Sequence, residues 1–206
     1  MGVDANLLRG KTAEQQSVIK YFEDTGCLAA LTGIKDEAYD AMVRDKINSL
    51  NLKAKALGRI GLDEDELKEI PPVHLYGFHY GKDAFAKVGK DGFPRSSKYD
   101  IAWLFFSSTQ VYMYTYVLDM ASDSKKELAE EYFYKDVVSF STYSESIEAN
   151  RSSGCMGGSI EKVTKDYDNF SMSVTSGDKF RVSTTGVPDA DRAVSAMKQK
   201  LREKKG

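Results

Sequence analysis

The stretch that decides the fold is IAWLFFSSTQVYMYTYV, residues 101–117. Ile101, Trp103 and Phe105, then Val111, Met113, Thr115 and Val117, alternate with their neighbours, and both runs are dense in aromatic and β-branched side chains. A period of two predicts strands. Ser107, Ser108 and Thr109 carry short polar side chains that bond back to the local backbone, so residues 107–110 predict a turn between strands at Tyr99–Phe106 and Val111–Leu118. Downstream, Asp119–Lys126 reads as a solvated loop, and Glu131–Tyr134 and Val137–Tyr143 as further strand. Phe170, Met172 and Val174 alternate up to the turn signal Ser176-Gly177-Asp178, and Phe180 and Val182 alternate beyond it, which predicts a second hairpin. Pro188 suits a first helical position, and Ala190, Val194, Met197 and Leu201 recur at helical spacing. This tail is expected to lay its apolar stripe on the sheet, since an isolated helix of that length is marginal in water.

Upstream the pattern is helical. Thr12 with Gln15 forms a capping box ahead of Val18, Ile19 and Phe22, predicting a helix over Ala13–Thr25. Tyr39, Met42, Val43, Ile47 and Leu50 give a second helix from Asp36, continued by Leu52, Ala56, Leu57 and Ile60 with a break near Asn51 and a stop at Gly61. Asp63 with Glu66 caps a short helix to Glu69, ended by Pro71-Pro72. Val73–Tyr80 returns to strand-like alternation, Gly81–Lys98 is polar and glycine-punctuated, and the run between Glu145 and Ser159 has little to bury and is expected to be mobile. The expected fold class is α+β: a helical unit over residues 1–70, then an antiparallel β-domain over 71–206 of about six or seven strands, with its own core, closed by a C-terminal amphipathic helix.

The strand pair 101–117, the segment EEYFYKDVVSFST (130–142), the hairpin FSMSVTSGDKFRVS (170–183) and the terminal DADRAVSAMKQKLREKK (189–205) together resemble the pleckstrin-homology-like superfold, and their wording is similar to the bacterial PH-like domain family. That resemblance implies a binding or scaffold module without a catalytic site or cofactor. Members of the superfold bind peptides by strand addition at a sheet edge or in the groove beside the closing helix. It also places headgroup contacts of lipid-binding relatives on the segment that here holds Lys82, Lys87, Lys90, Arg95 and Lys98. The basic residues such relatives carry on the following strand are absent, because Tyr99–Phe106 has Asp100 as its one charge.

Composition sets the outer bounds. Lys and Arg total 29 against 31 Asp and Glu, so net charge gives no global case for nucleic acid or membrane, and any electrostatic partner must be met by a local patch. Cys27 and Cys155 have no Cys or His at ligand spacing and read as free thiols of a reducing cytosol. No apolar run reaches the length of a membrane span, and the N-terminus has no apolar signal core, so the chain is expected to be cytoplasmic.

Other candidate sites have ordinary explanations. His74 and His79 are five apart in a strand, on opposite faces, and do not make one metal site. The acids Asp63, Glu64, Asp65, Glu66 and Glu69 lack the spacing of a calcium loop and suit a helix start. Gly154, Gly157, Gly158 and Ser159 lack the lysine and the strand–helix context of a phosphate loop. No catalytic or metal residue is assigned. The leading expectation is a non-enzymatic module for a protein or peptide partner, and the alternative is an anionic-ligand or membrane-surface binder using the five cations.

Overall fold

A computed structural model describes residues 3–23, 33–63, 67, 71–80, 83–152, 160–185 and 190–205. Helix α1 (Ala5–Leu8) is a single capped turn. The reciprocal capping box then opens α2 (Ala13–Glu23), with Thr12 N–H donating to Gln15 Oε1 at 3.0 Å and Gln15 N–H to Thr12 Oγ1 at 3.2 Å. Helices α3 (Asp36–Ser49) and α4 (Leu52–Ile60) meet at Asn51, which adopts φ 47°, and Gly61 ends α4 at φ 76°. That left-handed turn is the break at Asn51, a residue type that tolerates it.

Among the described residues nine strands form two sheets, more than the expected six or seven. The first runs β1 (Val73–His79), β4 (Lys98–Phe106), β5 (Gln110–Asp119), β6 (Lys125–Phe133), antiparallel throughout. The second runs β3 (Pro94–Ser96), β2 (Ala86–Val88), β7 (Val137–Ser152), β8 (Ile160–Val174), β9 (Lys179–Ser183), antiparallel except where β2 lies parallel to β7. The extra strands, β2 and β3, come from a polar segment in which Phe85 and Val88 are the candidate strand residues, and β7 is longer than expected. Gly81–Lys98 supplies the β2–β3 hairpin, and Glu145–Ser152 continues β7, because its side chains pair across to β8 rather than needing a core: Ser144 donates to Asp168 and Ser146 to Asp166. Residues 153–159, including Cys155 and the glycine run, lie outside the described residues, as do Cys27 and the acids 64–66 and 69.

Two cores result. On one face of the first sheet, Tyr99, Ile101, Phe105, Tyr112, Tyr114 and Leu118 pack with Val18, Ile19, Phe22, Tyr39, Val43, Ile47 and Ala56 of the helices. On the other face, Leu75, Ala102, Leu104, Phe106, Val111 and Met113 pack against Phe170, Met172, Phe180 and Val182 of the second sheet. Val194 and Leu201 of α5 (Ala190–Lys205) close that second core. The register sets Phe106 opposite Val111 and Ile101 opposite Tyr116, so Ile101 and Phe105 face the helices while Val111 and Met113 face the other sheet. Strands β4 and β5 are therefore apolar on both sides, and the helices cover a face that would otherwise expose a row of aromatics.

The sheets also meet along one edge. A Cβ built on Gly77 of β1 would lie 2.3 Å from Ser183 Oγ and 2.9 Å from the Thr185 backbone N, so only glycine lets β1 approach the end of β9 this closely. Among the described residues no helix is long and apolar enough to cross a membrane.

Candidate functional site

The five cations singled out in the sequence do not form a common exposed patch. Arg95, on β3, is 3% exposed and turns toward the helices. Its Nε and Nη2 donate to Asp40 of α3 at 2.8 and 2.7 Å, and its Nη1 and Nη2 to Asp91 at 2.9 and 2.7 Å. The guanidinium bond holds the Asp91 carboxyl down at about 2. Lys87 is half-buried: its Nζ donates to the Tyr21 carbonyl at 2.6 Å and sits 3.2 Å from the centre of the Tyr21 ring. Loss of water there pulls the ammonium down to about 8. Lys98 pairs with Asp83 and, at 3.6 Å, with Asp119. Burial works against its charge, but those carboxylates prevail and hold it above its ordinary range. Lys90 stands exposed, with its backbone N–H donated to Asp36. Lys82 is outside the described residues. The polar, glycine-punctuated segment is thus a hairpin stapled to the helical layer through Arg95 with Asp40 and Lys87 with Tyr21, while Lys98 spends its charge on Asp83 and Asp119.

The histidines separate as their spacing requires. His74 stacks on Trp103, with centroids 4.4 Å apart and planes 9° apart, and its Nε2 is buried without a partner. His79 faces the other way, where its Nδ1 lies 3.0 Å from Asp100 Oδ1. That hydrogen bond outweighs partial burial and raises the imidazole above its ordinary value.

His79 and Asp100 belong to a cavity of about 380 Å³ where the two sheets splay apart. Its walls come from the end of β1, the start of β4, the middle of β5, and β6 through β9. Tyr80, just past β1, packs its ring on Tyr167 at 4.8 Å, and its hydroxyl is buried with no hydrogen-bond partner. Tyr167 donates to Glu145 Oε2 at 2.7 Å, and Asn169 donates to the same oxygen at 3.5 Å. On the β6 side stand Lys126, Leu128 and Glu130, and Leu128 is an exposed apolar side chain at 42%. A His–Asp pair can serve as part of a general base, but His79 makes no hydrogen bond to a hydroxyl among the described residues; Ser183 Oγ lies near Asp168 O and Thr185 Oγ1 instead. No group of three or more His, Cys, Asp or Glu among the described residues is placed to hold a metal ion.

Strand β9 borders this cavity and is the last strand of its sheet. Val174 N–H bonds to Asp178 O and Thr184 N–H to Asp168 O. Alternation between those two bonds turns the backbone groups of Phe180 and Val182 toward β8, and those of Lys179, Arg181 and Ser183 outward. Ser183 abuts Gly77, while Lys179 and Arg181 lie beyond that closure. These residues are dispersed over seven strands and carry no motif. The local sign of the site was the pair His79-Tyr80 at the end of a strand, which reads equally well as an ordinary aromatic strand.

Compared with known proteins, the chain matches no family model, no curated protein and no solved structure.

Proposed function

We propose that the chain is a non-enzymatic, cytoplasmic binding or scaffold module of the PH-like superfold that takes an extended segment of a partner protein in the cleft between its sheets. The observation that carries this is the edge of β9, the last strand of its sheet among the described residues, which forms a wall of the cavity at Lys179 and Arg181. A sheet edge offers unpaired N–H and C=O groups to an added strand, and neighbouring side-chain pockets supply specificity. The strand order supports the PH-like reading: four strands in one meander, three more in β7–β8–β9, then the closing helix, with β2 and β3 inserted after β1. The anionic-surface alternative has less support, since of its four described cations Lys90 alone is exposed.

Selection of random peptides on the full chain tests the proposal. Enriched peptides are expected to shift the β9 and Tyr80 amide resonances and to lose binding to Leu128→Trp, a change at an exposed edge position that fills the cleft mouth. Peptides that bind but map to α5 or to the helical layer, or no enrichment at all, would overturn it.

A further inference from the structure

The charge in the cleft is unevenly committed. Its three carboxylates each accept a hydrogen bond from within: Asp100 from His79, Glu130 from Tyr132 at 2.9 Å, and Glu145 from Tyr167 and Asn169. Its cations Lys126, Lys179 and Arg181 are exposed and make no ion pair among the described residues. The unpaired positive groups also stand at informative places. Lys179 and Arg181 are two of the three β9 residues whose backbone groups point outward, the third being Ser183 against Gly77, and Lys126 stands across the cleft on β6.

We infer that the segment received by the cleft is acidic, an extended strand with Asp or Glu at alternate positions, aligned along β9 so that its carboxylates meet Lys179, Arg181 and Lys126. This rests on the peptide-binding reading above and names the chemistry of its ligand. Opposite charges directly across a strand pair attract, and like charges there repel, so the same three residues would reject a basic segment.

Fluorescein-labelled peptides alternating Thr with Glu, Gln or Lys, titrated against the full chain by anisotropy, test the inference. The Glu peptide is expected to bind at least about tenfold more tightly than the Gln peptide, with the Lys peptide weaker still. The double variant K179E/R181E, altered at two exposed positions, should invert the order in favour of the Lys peptide, and N-methylation of alternate peptide amides should abolish binding. Equal binding of all three peptides, still lost on N-methylation, would overturn the acidic preference while leaving strand addition standing. Binding indifferent both to the charge reversal and to N-methylation, or no binding of any of the peptides, would overturn the inference, and the selection experiment above would then decide the broader reading by itself.

Discussion

Replacing Arg95 by Met separates a structural role from a surface one. The side chain keeps its length, but the guanidinium that bridges Asp40 and Asp91 is gone, and two carboxylates are left facing each other without a counter-charge. Removing one partner from a fully buried charge network costs about 3–5 kcal/mol. Here the Arg95 side chain is 4% exposed but those of Asp40 and Asp91 are 33% and 35% exposed, so water re-solvates part of the loss. The expected cost is therefore nearer 2–3 kcal/mol, or roughly 5–10 °C in melting temperature for a chain of this size. The acid limb gives a second signature. Asp91 falls from its ordinary 3.8 to about 2 in the fold, so its contribution is fully present above the unfolded value and is lost as pH falls from about 4 through about 2. R95M should lack that component, and D40N/D91N added to R95M should recover part of the stability by removing the repulsion. Urea unfolding at neutral and acid pH measures each quantity. An R95M protein within about 0.5 kcal/mol of the parent, with binding to anionic vesicles abolished, would refute the reasoning and return Arg95 to the surface.

Gly77→Ala should lower stability by about 1–3 kcal/mol at unchanged m-value, because its methyl meets Ser183 and the Thr185 backbone; parental stability would mean that β1 does not close on β9. An NMR titration should put the His79 imidazole above 6.5, with Asp83 and Lys98 also within its field, and Asp100→Asn should bring it down. The stabilisation from this pair is complete below 6.5 and declines as pH rises through the folded value, so the Asp100→Asn difference should shrink toward alkaline pH. A chain of residues 71–206 retains the inter-sheet core, yet uncovers Tyr99, Ile101, Phe105 and Tyr112. It should unfold cooperatively at lower urea and bind an apolar dye, whereas parental stability without dye binding would show the helices to be dispensable.

The elements with the clearest periodicity were legible: the 101–117 strand pair, the 170–183 hairpin, the capping box at Thr12 and the break at Asn51. All are local signals, in which a side-chain period or a turn residue fixes the conformation over a few residues. The β2–β3 hairpin and the long extension of β7 were not. Their stability comes from charges and hydroxyls satisfied at a distance in sequence, as in Arg95 with Asp40 or Ser144 with Asp168, and a polar segment paired in this way has the composition of a loop. The same reason hid the cleft. Its residues are drawn singly from strands far apart in the chain, and nothing at His79 announces Asp100, nor at Tyr167 Glu145.

The inner face of the first sheet shows why a cleft persists between two sheets that pack tightly elsewhere. Near the closing helix that face presents Leu75, Leu104, Phe106, Val111 and Met113, which meet Phe170 and Met172 in a dry core. Farther along the same strands it presents His79, Asp100, Thr115 and Lys126, opposite Tyr143, Glu145 and Arg181. Closing the sheets over this end would strip water from charged groups that have no partner across the gap, at a cost of several kcal/mol for each ion. The apolar residues pull the sheets together at one end, and the polar residues hold them apart at the other. A partner strand that brought its own hydrogen bonds and opposite charges would remove that penalty, so the groups that keep the cleft open in the free chain are the ones with most to gain when it fills.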